Sequence, residues 1–246
     1  MRILLISDIH GNFPALKAIE KKFHSLQFDH IINCGDSLVY GPFPNETLSW
    51  LKRKAVISIL GNTDKKVIKL LKGKTFKKPS KPEKRIMYTW TADNLDTEST
   101  DYLLGLKIEE ELSVFVQDKG ERQTWTIGIF HGSPAEPHEF LFRSTADERF
   151  HELASMCQAD IIVCGHSHDP FHKIIGQHHF INPGSVGRMF DGNPEGSCAI
   201  IELGSENLQV KHFRITYDVE KTVKRLHKAA LPAVYKEMFR LGRKTN

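Results

Sequence analysis

Several kinds of protein are excluded by what this 246-residue chain has little of. No stretch approaches the roughly 18 consecutive apolar residues of a membrane helix. The apolar run near the start covers only residues 3–6, and Asp8 and His10 interrupt it at once, which makes a poor secretory leader. Cysteine is scarce: Cys34, Cys157, Cys164 and Cys198 form no CxxC pair, and a chain this long needs no disulfide framework. Internal repeats and linker-like stretches are missing too. Charge of one sign is not dominant, since the net charge is +4, a field that suits an anionic ligand without requiring one. These absences lead us to expect a cytoplasmic protein without membrane contact, built as one domain over residues 1–246. The 40% hydrophobic content is enough for a substantial core.

Short apolar runs recur, each followed by helical or loop sequence. Residues 3–6, 30–34 and 56–60 read as strands, with helices over 14–25 and 45–52 between them, the alternation of parallel strands joined by crossovers. Leu16, Ile19, Phe23 and Leu26 supply one apolar helical face. Residues 64–85 are rich in lysine, opposed only by Asp64 and Glu83, and Pro79 and Pro82 break the second half. We read a helix to about residue 71, an exposed basic loop, and two helical pieces over 87–106. The whole of 64–106 is thus a basic insertion. Strands follow at 111–117 and 124–130 around the turn-prone DKGE, then a helix over 145–158 and strands at 161–164, 171–174, 179–181, 198–202 and 209–214. The tail 219–241 reads as helical.

The residues able to carry chemistry sit where these strands end. Asp8-x-His10 follows the first strand and Asp36 the second. Asn62 follows the third, His131 the strand ending at Phe130, and His166-x-His168 the strand at 161–164. Loops at the carboxyl ends of parallel strands converge on one edge. The donors are oxygen and nitrogen without thiolate, a set suited to Mn²⁺, Fe, Zn²⁺ or Mg²⁺. Seven ligands exceed what one catalytic ion can use while also binding water, and suit two ions sharing a carboxylate. Asn62 also reads as a helix cap. Cys34 and Cys164, beside the site in sequence, read as small buried strand residues. His172, His178 and His179 read as surface or core residues.

The blocks DIH, GD, GNTD, HG and GHSH, in this order and followed by NPGSVG at 182–187, resemble the signature of calcineurin-like metallophosphoesterases. The phrase GDSLVYGPFPNE is similar to the subgroup near the YfcE-like bacterial and archaeal phosphodiesterases. The resemblance implies a four-layer αββα sandwich of the α/β (α+β) class, two mixed β-sheets flanked by helices. It implies one metal on Asp8, His10, Asp36 and His168, and a second on Asp36, Asn62, His131 and His166. Asp36, Asn62, Asp64 and His131 form the catalytic set, with Asp64 positioning the loop or a histidine. The implied cofactors are two divalent ions, Mn foremost, with Fe, Zn, Ni and Mg open. The implied reaction is hydrolysis of a phosphate ester, foremost a phosphodiester, by a hydroxide that the metal pair activates. The implied partner is a small phosphorylated substrate, nucleotides included, and not nucleic acid.

Two further readings stay open: a nucleotide phosphatase or dinucleoside polyphosphate hydrolase, and a non-catalytic scaffold. Many relatives carry GNH[DE] where this chain has Thr63, and a threonine hydroxyl is no near-neutral general acid. Esters with good leaving groups, or another proton source, are therefore implied. Arg188, after GSVG, is placed to touch phosphate. Tyr40 and Phe43 either line the pocket or pack their own loop. The basic run is either a solvated loop or an attractor of anions.

Overall fold

The computed structural model describes residues 1–118 and 120–245. Its first sheet contains β1 (Arg2–Ile6), β2 (His30–Asn33), β3 (Ile57–Ser58), β9 (Gly196–Leu203) and β10 (Leu208–Ile215), in the order β10-β9-β1-β2-β3. The second contains β4 (Glu110–Asp118), β5 (Glu121–Ile129), β6 (Ile161–Val163), β7 (Phe171–Ile175) and β8 (His178–Asn182), in the order β4-β5-β6-β8-β7. Each sheet is mixed. The first pairs β1, β2 and β3 in parallel and β1, β9 and β10 antiparallel; the second pairs β5, β6 and β8 in parallel. Eight helices flank the sheets among the described residues.

Side-chain alternation creates the layers. Successive strand residues face opposite sides, so Ile3 and Leu5 join Ile127, Ile129, Ile161 and Val163 in a core between the sheets. Leu4 and Ile6 instead enter the core that faces the helices α1 (Phe13–Lys22), α2 (Pro44–Arg53), α7 (Val219–Lys228) and α8 (Ala233–Leu241). On the far side, Ile162 and Phe180 pack with Phe150 and Leu153 of α6 (Asp147–Ala154). The result is the expected αββα sandwich.

The differences from the sequence reading are local. Helix α4 (Pro82–Asp93) begins five residues before the expected start at 87, because Pro82 occupies the first helical turn, where a missing N–H costs nothing. It follows α3 (Asn62–Leu71) and precedes α5 (Thr97–Leu104). The tail forms two helices, α7 and α8, divided by Ala230 in a left-handed conformation (φ 51°) and by Pro232. Strand β3 has two residues instead of five. The hairpin of β4 and β5 forms, but its turn includes Lys119, which lies outside the described residues. In the basic segment, Lys77, Lys78 and Lys81 are exposed, while Phe76 packs on Tyr88 and Arg85 donates to the Phe76 and Pro79 carbonyls. Among the described residues no helix is long and apolar enough to cross a membrane.

Candidate metal centre

The loops after β1, β2, β3, β5 and β6 meet where the parallel strands of both sheets end. Two groups of potential ligands form there. Asp8, His10 and His168 make one, and Asp36, His131 and His166 the other; within each, the donor atoms all lie within 4.8 Å of one another. Asp36 faces both groups, with Oδ2 3.9 Å from His10 Nε2 and Oδ1 3.5 Å from His131 Nε2. The Asn62 side-chain oxygen stands 3.3 Å from His131 Nε2. Asn62 is not the helix cap: Gly61 takes that place, and Asn62 is the first residue of α3.

Backbone carbonyls determine which ring nitrogen of the histidines is free. Nδ1 of His10 faces the Leu38 carbonyl at 3.3 Å, Nδ1 of His131 the Cys34 carbonyl at 2.8 Å, and Nδ1 of His168 the Arg188 carbonyl. A carbonyl only accepts, so a neutral imidazole carries its proton on Nδ1 and presents a lone pair at Nε2. Nε2 of His10 and Nε2 of His168 stand 3.3 Å apart. Oδ1 of Asp8, 3.2 Å from His168 Nε2, is buried without a hydrogen-bond partner. Lone pairs facing one another at these distances repel unless a cation lies among them. Donors about 2.1 Å from one ion stand roughly 3.0–3.4 Å apart, so the residues fit a metal.

The charges follow from this crowding. Burial opposes ionisation of Asp8, and when protonated the imidazoles of His168, His131 and His10 outweigh it and hold the carboxyl well below the usual range. Burial, reinforced by His168 and Arg188, pushes His10 well below an ordinary imidazole. Burial and His131 bring His166 down to about 4. Neutral imidazoles and an ionised carboxylate are the forms that bind metal.

Asp64 stands apart from both groups. Its oxygens accept from the backbone N–H groups of Ser37 (3.1 Å), Leu38 (3.0 Å) and Gly61 (3.0 Å), which clamps the β2 loop to the start of α3. Burial and the Asp36 charge push its carboxyl up to about 7, while these three amides pull the other way. The Thr63 hydroxyl donates to the Leu38 carbonyl at 3.0 Å, so it is committed to the loop. Tyr40 and Phe43 are buried; Tyr40 packs against His10, Tyr88 and Tyr235, which favours loop packing over pocket lining. The Arg188 guanidinium lies 3.8 Å above the Tyr40 ring, almost fully buried, with Nε unpartnered. His172 and His179 contact one another, away from both groups.

The sequence reading missed Phe140. Its ring stacks on His166, centroids 4.0 Å apart and planes 23° apart, yet the residue is 54% exposed. Phe142 runs nearly parallel to it at 6.0 Å. No periodic pattern marks either residue; only two exposed aromatics in a loop after a ligand-bearing HG block could have signalled them.

Two groups of potential metal ligands at the joined strand ends of two packed sheets are the arrangement of a metal-dependent hydrolase. Residues 1–206 match the calcineurin-like phosphoesterase superfamily domain, and the chain belongs to that superfamily as a hydrolase of phosphoester bonds. It is 30% identical to an uncharacterized protein of Methanocaldococcus jannaschii, over 98% of each chain. Among solved structures it is similar to a metallophosphoesterase from Sphaerobacter thermophilus, with 26% identity, 98% of this chain and 99% of that one covered, and a TM-score of 0.78. A hypothetical protein from Pyrococcus horikoshii shares the fold, at 20% identity, 99% coverage of both chains and a TM-score of 0.83.

Proposed function

We propose that the protein is a phosphodiesterase with two divalent ions, one held by Asp8, His10, Asp36 and His168 and the other by Asp36, Asn62, His131 and His166. The observation that carries this reading is the approach of the Nε2 atoms of His10 and His168, 3.3 Å apart beside the unpartnered Asp8 Oδ1. Asp36 would be the ligand the two groups share, because its two oxygens face different histidines. When bound, the ions supply a lowered water pKa and offset charge that develops on the phosphoryl oxygens.

The chain's own residues do the rest. The carbonyls of Leu38, Cys34 and Arg188 hold three imidazoles in the ligating tautomer and orientation. Asp64 keeps Asn62 and Asp36 in register by tying their loops together. Lys65 and Lys66, the fourth and fifth residues of α3 and half-buried, place positive charge beside Asn62. Arg188 offers a guanidinium without a carboxylate partner, suited to a phosphoryl oxygen. With the Thr63 hydroxyl committed, the leaving group departs without help from that position. Substrates with acidic leaving groups, such as aryl esters or anhydrides, therefore suit the site.

The test is a titration of the metal-stripped protein with Mn²⁺ on a generic aryl phosphodiester. Activity should appear with about two equivalents of metal and vanish with chelator. Hydrolysis indifferent to chelation defeats the reading.

A further inference from the structure

We propose that Phe140 and Phe142 form a stacking platform for the base of a nucleotide, so that the phosphoesters hydrolysed here are nucleotide derivatives. The inference rests on the metal-centre reading and names its substrate class. Phe140 is 54% exposed and Phe142 41%, an unusual exposure for phenylalanine beside a buried polar site. Phe140 stacks on His166, 4.0 Å away, and Phe142 extends the aromatic surface in a nearly parallel plane 6.0 Å off, so the exposed part of the two rings is what a ligand meets. His166 in turn lies within ligand distance of Asp36 and His131. A base on the platform thus places its own phosphate within a nucleotide's length of that group.

The surrounding charge fits the other end of the same molecule. His138, exposed on the same loop, lies 6.4 Å from His166. Lys65 and Lys66, half-buried, lie three and four residues beyond Asn62 on α3, and the Asn62 side-chain oxygen stands 3.3 Å from His131, so they bring positive charge to this strand-end edge. One side supplies a π-face and the other cations, the two elements that recognise a base and its phosphates. A protein partner or a lipid surface would not need the rings to end against His166.

The platform is also preorganised. Glu139 accepts from Arg149 at 2.7 and 3.0 Å and from the Ser133 hydroxyl. The Phe142 amide donates to the Thr145 hydroxyl at 2.9 Å. Arg143 donates from its amide to Asp169 and from its guanidinium to the Pro170 carbonyl, each at 2.8 Å. A loop bolted on both sides of Phe140 loses little freedom when a ring stacks on it.

The experiment compares binding of AMP and ribose 5-phosphate, which share the phosphate and sugar and differ in the base, by equilibrium dialysis with the Mn²⁺-loaded protein. Wild type should bind AMP about ten-fold tighter. In Phe140→Ala that ratio should collapse towards one, and Phe140→Trp should restore it. Calorimetric Mn²⁺ titration of each variant checks that His166 still serves its site. Equal affinity of wild type for the two ligands overturns the platform, as does a ratio that survives Phe140→Ala or the absence of binding by either. Because dialysis needs no turnover, failure of the platform is separate from failure of the hydrolase reading: an enzyme that cleaves aryl diesters yet ignores the base loses only the platform.

Discussion

Replacing Asp8 by asparagine should stabilise the metal-free protein and disable the metal-bound one. Asp8 Oδ2 accepts from the Ser7 hydroxyl at 2.6 Å and from the His166 amide at 2.9 Å, and an asparagine carbonyl can take both bonds. The amide nitrogen then replaces Oδ1, which has no partner and faces His168 Nε2 at 3.2 Å. An orphaned buried acceptor costs about 1–3 kcal/mol, and the new N–H···N bond contributes about 1 kcal/mol. A net gain of roughly 2 kcal/mol corresponds to a rise in Tm of about 4–8 °C for a chain of this size. The order reverses with metal. Wild type gains about 2.7 kcal/mol at a free ion concentration of a hundred times Kd, whereas the variant has exchanged a charged ligand for a neutral donor. Its activity should fall by more than the roughly 100-fold seen when only a ligand's supporting partner is lost. Differential scanning calorimetry at pH 8.5, above the range of ordinary histidines, should show the two melting curves crossing between EDTA and Mn²⁺. A variant that melts below wild type in EDTA refutes the facing lone pairs, and one that keeps the full Mn²⁺ increment refutes Asp8 as a ligand.

Three other perturbations probe the frame of the site. A Cβ on Gly61 would fall 2.1 Å from Asp36 Oδ1 and 2.2 Å from the Asp36 amide, so Gly61→Ala should cost about 1–3 kcal/mol by urea denaturation. The same variant should weaken Mn²⁺ binding in calorimetry; unchanged stability and affinity would show that the loop has room. Thr63→Val removes the bond to the Leu38 carbonyl and should cost about 1 kcal/mol, with the pH–rate profile keeping its shape; loss of a limb would make Thr63 part of the proton chemistry. His166, at about 4, binds a proton more readily unfolded than folded, so its contribution is full above about 6.5 and is lost as pH falls towards 4. Up to ~3 kcal/mol is involved. Asp64, up at about 7, titrates in the opposite sense across the same window. The measurement is therefore the stability of metal-free wild type relative to His166→Gln from pH 7 to pH 4. A constant difference contradicts the assignment.

Much of the fold was legible because one side of each strand must enter a different core. The run from Ile3 to Ile6 has no polar residue to mark a face, and its burial between two layers is what such an uninterrupted run means. The convergence of the donors was legible because each follows a strand. Pro82 was misread because proline breaks a helix from within but starts one from its first turn, and only the chain's path distinguishes these. The commitment of Thr63 and Asp64 to the loop around Leu38 depends on contacts 25 to 27 residues away. The stacking of Phe140 on His166 joins two loops that no local period relates.

Backbone hydrogen bonds hold the donors in place. Asp8, His10, Asp36, His166 and His168 all have φ between 51° and 66°, a left-handed conformation that costs a non-glycine residue about 1 kcal/mol or more. Nothing in the side chains themselves requires it. What offsets it is a lattice of amides joining the two strand-end loops: Asp8 donates to the Gly35 carbonyl and His10 to Asp36, each at 2.9 Å; Gly11 donates to Ser37 at 2.8 Å, and Gly41 to His10 at 2.7 Å. The loops zip to one another residue by residue, and each ligand turns left-handed to keep its side chain on the common edge. Glycine is needed where these backbones touch, since a Cβ on Gly11 would stand 2.5 Å from the Gly41 carbonyl oxygen. The strain is thus met by hydrogen bonds within the chain itself.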